Sequence, residues 1–360
     1  MTGTDELTAK LARIRKLLVQ QRMDAAWLTS AGNVSWLLAG GDPVVALTDP
    51  PVARALVTAD DARLYAPEFE RDRIETEELP AGLPIYYVPW EEAGAFDQAR
   101  LSVVEPERTL TDAPAPGLQQ HDFWPLRAPL LPEEVERYRL LCRDTAVAVG
   151  SVLRGLEPGL SEHQIAGAVA RELRNRGIQP AVLLVGGDGR LKRYRHPLPS
   201  NETANDRAMV VVCGRRHGLY ANLTRLVAFT PLDPQESRRY ESLLQVEEAA
   251  FAVTRHGRFF RDVLTALQQA YAEHHHPLAW KYHHQGGPTG YFTRDFLATP
   301  FDDRIVLDGS AYAWNPSLPG LKVEDTVLLT HQSLEVLTRD PEWPTTEIAG
   351  LHRPEILVLD

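Results

Sequence analysis

Apolar residues recur every three or four positions over residues 4–22, a spacing that predicts an amphipathic helix. An apolar strand is expected next, at residues 25–29. Helical and strand-like spacing then alternate, and the predicted segments are a helix at 33–38, strands at 44–47 and 55–58, a helix at 68–78 and a strand at 85–88. Alternation of this kind is typical of an α/β domain.

Residues 112–132 are rich in proline and show no sustained period, as expected of a linker between domains. The pattern therefore predicts an N-terminal domain over residues 1–128 and a C-terminal domain over residues 129–360. A chain of 360 residues has room for both, because a single hydrophobic core rarely serves more than about 250–300 residues.

The first helix predicted in the C-terminal half begins at Pro132, since proline is favoured at the first position of a helix. Ser161 and Gln164 have the spacing of a capping box, which opens a helix that Gly177 should end. Asp233 precedes a third helix, and a fourth is predicted over residues 260–274. Predicted strands lie between these helices, at residues 181–185, 209–213, 219–227, 312–315, 326–330 and 334–337. Helices mixed with antiparallel hairpins indicate an α+β domain.

Composition places the chain among ordinary globular proteins, with 44% hydrophobic and 24% charged residues. The formal net charge of -11 argues against a nucleic-acid partner, which would need a concentrated basic surface. The sequence has neither an apolar run of the roughly 20 residues that a membrane span needs nor a secretion signal over residues 1–10. We therefore expect a cytoplasmic protein without a membrane partner, with Cys142 and Cys213 as reduced thiols.

Two short stretches carry the candidate chemistry. Residues 209–227 have the pattern of two strands joined by a turn, and residues 282–291 form a glycine-rich run, predicted as a tight loop beside a pair of histidines. The segment 314–316 lies at the end of a later predicted strand, and the segment 322–325 directly precedes another. We expect these four segments to line one pocket.

Several short motifs follow one another along the C-terminal half: His196-Pro197, Thr224-Arg225, the glycine-rich run, Asn315-Pro316 and Glu324-Asp325-Thr326. Their order and spacing resemble the creatinase, prolidase and Xaa-Pro aminopeptidase superfamily of M24-type peptidases, and Asn315-Pro316 stands where that family has Glu-Pro-Gly. Residues 25–38 also resemble the first strand and helix of the family's N-terminal domain. The resemblance implies an α/β N-terminal domain followed by an α+β catalytic-type domain with the pita-bread fold.

In the family's peptidases, two divalent metal ions are held by two Asp on the hairpin, one His in the glycine-rich loop and two Glu on the last strands. The ions lower the pKa of a bridging water, which attacks the peptide carbonyl. Matching the motifs residue by residue places Cys213, Asn222, Gly287, Asn315 and Glu324 at these five positions. Of the family's four carboxylates Glu324 alone remains, and one carboxylate cannot balance two dications, so we expect no metal and no cofactor.

The charges near the predicted pocket favour an anion, because His196, Arg225, His283 and Lys322 are all potential cations. The predicted catalytic residues are His196, His283 and Glu324. The predicted pocket residues lie on the four segments and the adjoining hairpin, and they are Cys213, Asn222, Arg225, Gly287, Tyr291, Trp314, Asn315 and Lys322.

The histidines leave alternatives open. His196 matches a family histidine that faces the substrate, where it could act as an acid or base, but it could equally tie two loops together. His283 and His284 are neighbours, and on a strand only one of them can point into the pocket. The run His274-His275-His276 looks like a metal tag, although at a helix end it is more typical of a solvated C-terminus.

Cys213 and Glu324 also have two interpretations each. Cys213 beside a histidine could be a thiolate nucleophile, or could hold one zinc ion together with His283 and Glu324. A cysteine at the end of an apolar strand is more often a small buried side chain. Glu324 is either a general base or the partner of Lys322 in an ion pair.

These observations predict a metal-independent relative of the Xaa-Pro peptidases. It would bind a small amino-acid-like or peptide-like anion, and either hydrolyse it through His196 and Glu324 or only hold it. Two alternatives are a metal-dependent Xaa-Pro dipeptidase or aminopeptidase and a non-catalytic interaction protein derived from a peptidase. Creatinase is the superfamily's metal-free precedent, but Thr224 and Asn315 occupy the positions of its carboxylates. The resemblance also implies a homodimer that pairs through the N-terminal domain.

Overall fold

Residues 3–47, 50–331 and 333–359 are described by the computed structural model of the chain. The chain divides into two units, Met1–Val135 and Glu136–Asp360. This division lies C-terminal to the boundary near residue 128 that the proline-rich stretch suggests. Within the described ranges, no helix is both long enough and apolar enough to cross a lipid bilayer.

One mixed sheet organises the first unit. The helices are α1 (Gly3–Gln21), α2 (Ala31–Leu37), α3 (Arg71–Arg73), α4 (Ala95–Leu101) and α5 (Trp124–Arg127). The strands are β1 (Ala25–Leu28), β2 (Arg54–Thr58), β3 (Ala62–Pro67), β4 (Ile85–Val88), β5 (Thr109–Thr111) and β6 (Gln119–Gln120), in the sheet order β4-β3-β2-β1-β5-β6. Strand β1 runs antiparallel to β2 and parallel to β5, and Trp27, Leu56 and Tyr65 pack in the core beside it. The predicted α/β class is confirmed.

Two predicted segments of this unit differ from the structure. The strand expected at 44–47 is wrong, because these residues follow Pro43 in an irregular conformation in which Val45 and Leu47 are exposed and bury no face against the sheet. The helix expected at 68–78 is subdivided into a 3₁₀ turn (Glu68–Glu70), the short α3 and a π-helical turn (Ile74–Glu78).

The second unit holds the longer helices and two four-stranded sheets. Its helices are α6 (Pro132–Leu153), which begins just before the division, α7 (Glu162–Asn175), α8 (Asp188–Arg193), α9 (Pro234–Val253) and α10 (Phe260–Glu273). One sheet contains β8 (Gln179–Gly187), β10 (Arg207–Arg216), β11 (Leu219–Ala228) and β20 (Leu357–Val358), in the order β20-β11-β10-β8. The other contains β12 (Gly286–Thr289), β13 (Ala311–Trp314), β16 (Asp325–Thr330) and β17 (Ser333–Val336), in the order β12-β13-β16-β17.

Short strands complete this unit in pairs. Strand β7 (Leu160–Ser161) pairs with β9 (Thr203–Ala204), β14 (Ser317–Leu318) with β15 (Leu321–Lys322), and β18 (Thr345–Ile348) with β19 (Leu351–Pro354). Helices and antiparallel strands are mixed throughout, which confirms the predicted α+β class.

The helix boundaries of the second unit follow the predicted signals. Pro132 is the first residue of α6, and Asp233 caps α9 by accepting backbone hydrogen bonds from residues 235 and 236. In the capping box of α7, the Ser161 hydroxyl accepts from the Gln164 backbone N–H at 3.2 Å and the Ser161 N–H donates to the Gln164 side chain at 2.9 Å. Gly177 follows the end of α7 with a positive φ of 68°.

The predicted hairpin over residues 209–227 is present as β10 and β11, and its register places Cys213 directly opposite Asn222. The glycine-rich run differs from the predicted loop, because residues 286–289 form β12 and pair with β13. Glycine is required there, since a Cβ atom on Gly286 would lie 2.1 Å from the Ala313 carbonyl oxygen and one on Gly287 would lie 2.3 Å from the Phe296 carbonyl oxygen.

A buried ionic cluster joins β11, α9, β16 and β19, and consists of Arg225, Glu247, Asp325 and Arg353. The Arg225 Nη2 atom lies 2.9 Å from Asp325 Oδ1, the Arg353 Nη2 atom lies 2.9 Å from Asp325 Oδ2, and the Arg353 Nε atom donates to Glu247 Oε2 at 2.8 Å. Each side chain is at most 4% exposed. Loss of one partner from such a cluster leaves an unbalanced charge in the core.

We expect Ser161→Ala to lower the free energy of unfolding by about 1 kcal/mol, because the first turn of α7 loses its capping acceptor. Denaturant unfolding of the full chain measures this change. Ser151→Ala, which removes an exposed serine hydroxyl from α6, is the matched control and should change stability by less than about 0.5 kcal/mol. Equal effects of the two substitutions would contradict the role of the cap.

The stability of the protein should fall as pH rises through the titration of Glu247. Burial raises the pKa of the Glu247 carboxyl from its ordinary 4.5 to about 7, against the opposing charge of Arg353. In this window the folded state keeps a proton that the unfolded state has released, so raising the pH favours unfolding. Unfolding measured between about pH 5 and 8 should show this loss in the wild type and not in Glu247→Gln. Glu248→Gln, at the next position of α9, is the control, and identical pH dependence in all three proteins would contradict the assignment.

Candidate functional site

A cavity of about 140 Å³ lies in the second unit, against the faces of β8 and β10. Its walls combine apolar side chains from these strands with polar and charged side chains from later segments. The lining residues are Val182, Leu184, His196, Val211, Cys213, His284, Thr293, Arg294, Asn315, Lys322 and Glu324. Five of the residues singled out from the sequence, His196, Cys213, Asn315, Lys322 and Glu324, therefore meet at one place.

Glu324 is held by two cations inside this cavity. Its Oε1 atom lies 2.6 Å from Arg294 Nη2, and its Oε2 atom lies 2.7 Å from Lys322 Nζ. The hydroxyl of Thr224 donates a third contact to Oε2 at 3.0 Å. Burial alone would raise the pKa of Glu324, but the charges of Lys322 and Arg294 outweigh it and lower this pKa well below its usual range. A carboxylate so stabilised is a weak base, and the two cations exceed its charge by one.

Three histidines lie together at the cavity. His196 follows α8, and His283 and His284 precede β12. The Nε2 atoms of His196 and His283 are 3.1 Å apart, and the rings of His283 and His284 stack with centroids 4.4 Å apart. His196 is exposed, His284 is half-buried and His283 is buried. Of the neighbours His283 and His284, it is His284 that lines the cavity wall, together with His196, while the predicted catalytic residue His283 lies behind it.

Burial lowers the pKa of all three histidines. The pKa of His283 falls to about 2 and that of His284 to about 4, with added repulsion from Lys322 and Arg294 respectively. The pKa of His196 is lowered by burial and by Lys322. All three imidazoles are therefore neutral near pH 7, and the cations of the cavity are Arg294 and Lys322.

Cys213 has the environment of an inert thiol. It ends the apolar part of β10, is 8% exposed, and burial raises its pKa to about 12, aided by the negative charge of Glu324. The opposing positive charges of Arg294 and Lys322 are too weak to reverse this shift. At neutral pH the thiolate population is negligible, which favours the interpretation of Cys213 as a buried side chain over that of a nucleophile.

The two asparagines at family ligand positions differ in their surroundings. Asn315 lines the cavity, and its buried Oδ1 atom has no hydrogen-bond partner among the described residues. Asn222 lies deeper, where its Nδ2 atom donates to Thr289 Oγ1 at 2.9 Å and its backbone N–H donates to Thr326 Oγ1 at 2.8 Å. Asn315 therefore brings an acceptor to the cavity wall, whereas Asn222 joins β11 to β12 and β16, although its own Oδ1 atom likewise has no partner among the described residues.

The remaining predicted residues lie elsewhere. Arg225 belongs to the buried ionic cluster, on the opposite face of β11 from Thr224. Trp314 is fully buried and donates from its indole nitrogen to Thr254 Oγ1 at 3.0 Å, so it packs in the core. Tyr291 is also buried outside the cavity wall, and Gly287 lies within β12. His283 reaches the cavity through its contact with His196.

Arg294 is the residue that the sequence patterns missed. It lies after the glycine-rich run in an irregular segment, at a place without strand or helix periodicity. Its charge could have identified it from the sequence, because Arg294 is a cation only three residues beyond the predicted pocket residue Tyr291. A larger open groove of about 760 Å³ also exists in the second unit, near Arg139 and Glu335, and the predicted site residues do not line it.

Comparisons with known proteins agree on one family. A family model described as metallopeptidase family M24 matches residues 136–331. A putative dipeptidase of Bacillus subtilis, YkvY, is 24% identical over 212 residues, which is 55% of this chain and 56% of that protein. The Xaa-Pro dipeptidase of Pyrococcus furiosus is 20% identical over 347 residues, or 92% of this chain and 97% of that protein.

Solved structures show the same fold. The prolidase from Pyrococcus horikoshii OT3 matches with a TM-score of 0.78 at 17% identity, over 92% of this chain and 98% of that one. The predicted superfamily and the predicted pita-bread fold are thereby confirmed.

We expect the Cys213 thiol to resist modification in the folded protein. In a Cys142→Ala variant, which leaves Cys213 as the single cysteine, a thiol-specific chromogenic reagent at about pH 8 should react far more slowly with the native protein than with the protein in guanidinium chloride. The complementary Cys213→Ala variant controls for Cys142, which is also buried. Rapid labelling of native Cys142→Ala would show instead that Cys213 is an accessible nucleophile.

Proposed function

The chain belongs to metallopeptidase family M24, and on this premise we propose that it is an Xaa-Pro dipeptidase-like protein whose cavity binds a small amino-acid-like or peptide-like anion without the family's pair of metal ions. The main support for the proposal is that the carboxylate of Glu324 forms ion pairs with both Arg294 and Lys322.

The residues at the five metal-ligand positions do not fit a pair of divalent ions. Gly287 has no donor side chain, and Asn222 and Asn315 are neutral. Cys213 keeps its proton at neutral pH because its pKa is raised. The one carboxylate, Glu324, already has its charge compensated by two cationic side chains, so a dication placed beside it would meet a net positive charge.

Charge and donors favour an anionic ligand. Arg294 and Lys322 both present N–H donors at the cavity, and Glu324 offsets only one of their charges. Arg pairs well with carboxylates, because its planar group can donate two parallel hydrogen bonds. The free Oδ1 atom of Asn315 adds an acceptor, which suits an amine or amide N–H of the same ligand.

The size of the cavity favours a ligand no larger than an amino acid or a small dipeptide. Its volume of about 140 Å³ is well below the roughly 300–1,000 Å³ of pockets that hold drug-sized molecules. The apolar side chains of Val182, Leu184 and Val211 on one side offer contacts for an aliphatic or pyrrolidine side chain. A carboxylate next to such a group is the composition of a C-terminal proline.

Hydrolysis through Glu324 as the general base is the weaker form of this proposal, because its lowered pKa makes the carboxylate a poor proton acceptor. His196 is better suited to exchange a proton with a ligand, since its imidazole is exposed, borders the cavity and has a lowered pKa. The proposal therefore assigns ligand contact and any proton transfer to His196, and charge balance to Glu324.

The expected affinities follow from this charge balance. The metal-free protein, titrated with proline and glycyl-proline in a calorimeter, should bind at least one of the two. Lys322→Met should weaken this binding about 10- to 100-fold, because a hydrogen bond to a charged group is worth about 1.5–3 kcal/mol. Glu324→Gln should strengthen it, because the two cations would no longer be shared with a protein carboxylate. Lys281→Met, at an exposed position, is the control for the loss of a lysine.

A higher affinity of Glu324→Gln for the ligand would distinguish this proposal from the alternative functions, since misfolding of the variant could not raise its affinity. A metal-dependent peptidase would instead lose ion binding in Glu324→Gln, and its cleavage of Xaa-Pro dipeptides would stop when a chelator is added. Absence of heat with both probes, or weaker binding in Glu324→Gln, would overturn the proposal.

The proposal also retains the homodimer and the cytoplasmic location expected from the sequence. The first rests on the resemblance to family members that pair through their N-terminal domains. The second rests on the reduced thiols expected of Cys142 and Cys213.

A further inference from the structure

The histidine triad, which consists of His196, His283 and His284, has the dimensions of a metal-binding site. One nitrogen of each ring can be chosen so that all three lie within 4.8 Å of one another. The Nε2 atoms of His196 and His283 are 3.1 Å apart. A single hydrogen bond would bring only two of these nitrogens together. Here three imidazole nitrogens, from two separate segments of the chain, lie close to one another.

A tetrahedral zinc ion with Zn–N bonds of about 2.0–2.1 Å needs its ligand nitrogens about 3.3–3.4 Å apart. The 3.1 Å pair is within a few tenths of an ångström of this value. The third nitrogen, on His284, has further to move, but its ring is half-buried and stacks on His283, and no described residue bonds its Nδ1 atom. Small rotations about the side-chain bonds would therefore complete a three-nitrogen face.

The hydrogen bonding of the triad leaves the required lone pairs available. In the metal-free protein, one of the two close Nε2 atoms must donate a hydrogen to the other. Among the described residues, no group bonds the buried Nδ1 atoms of His283 and His284. The hydrogen on His283 can therefore reside on Nδ1, which frees Nε2 as a ligand without the loss of a proton.

We propose that His196, His283 and His284 form a binding site for a single transition-metal ion that prefers imidazole ligands, such as Zn²⁺, with a fourth position open toward the cavity. None of the three residues occupies one of the five positions of the family's metal pair. The site also differs from a zinc site built on Cys213, because its three ligands are all imidazoles. The open position follows from His196 and His284, which both line the cavity.

The charges around the triad set the strength of binding. Lys322 and Arg294 repel a dication, while Glu324 attracts it. An anion in the cavity would remove the repulsion and could occupy the fourth position of the ion. Metal and anion should therefore strengthen each other's binding, by the same factor in both directions.

The test is a metal titration of the full-length protein after treatment with a chelator. Co²⁺ gives a strong visible absorption when it is tetrahedral, and elemental analysis after addition of Zn²⁺ and gel filtration gives the number of ions per chain. We expect one ion per chain in the wild type. His196→Ala, at an exposed position with little consequence for folding, should weaken binding by at least about 100-fold, since even indirect support of a ligand is worth 10- to 100-fold.

A second cluster of histidines supplies the matched control. The run His274-His275-His276 at the end of α10 could bind metal as an affinity tag does. A variant with His274→Ala, His275→Ala and His276→Ala should retain the ion and the Co²⁺ absorption. Loss of the ion in this variant and its retention in His196→Ala would overturn the proposal, as would the absence of any bound ion in the wild type.

The result of the metal titration does not depend on whether the proposed function is correct. Binding of proline or glycyl-proline is measured in chelator-treated protein, so that experiment tests the anion site in the absence of metal. A triad that binds no ion would leave that result unchanged. If both ligands bind, the ratio of Zn²⁺ affinities with and without the anion measures their coupling.

Discussion

The charge balance around Glu324 is the constraint on which the cavity depends. A carboxylate buried to this extent is stable only because Arg294 and Lys322 each supply a charge at 2.6–2.7 Å. Those two cations give the cavity its excess of positive charge, and they add to the burial that lowers the pKa of the nearby histidines. The same arrangement makes Glu324 a counter-ion and a weak base, and it underlies the proposal that the cavity binds an anion.

Strand β11 separates two charged regions by the alternation of its side chains. Thr224 faces the cavity and donates to Glu324, while its neighbour Arg225 faces the opposite side and pairs with Asp325. Glu324, just before β16, and Asp325, its first residue, are also neighbours. Two pairs of consecutive residues therefore serve the cavity on one side and the buried ionic cluster on the other. A shift of one residue in the alignment of these strands would exchange the two roles.

The periodic features of the chain were predictable and the irregular ones were not. The hairpin over residues 209–227 follows from strand alternation, and the capping box at Ser161 follows from a three-residue spacing, because both are local properties of the sequence. Arg294 was missed because it lies on an irregular segment and reaches Glu324 through the fold. Arg225 was placed in the pocket from its position in a motif, and only the direction of its side chain on β11 assigns it to the ionic cluster. Residues 44–47 had strand composition but no buried face to pair against.

Gly287 leaves no room for a side chain. The resemblance places the family's metal-binding histidine there, yet a Cβ atom at this position would lie 2.3 Å from the carbonyl oxygen of Phe296. The segment that follows β12 thus occupies the volume that a side chain on residue 287 would need. A histidine cannot be introduced at this position by a single substitution alone, because the backbone around Phe296 would have to shift to admit it. Restoring a ligand here would therefore require changes in two segments of the chain at once.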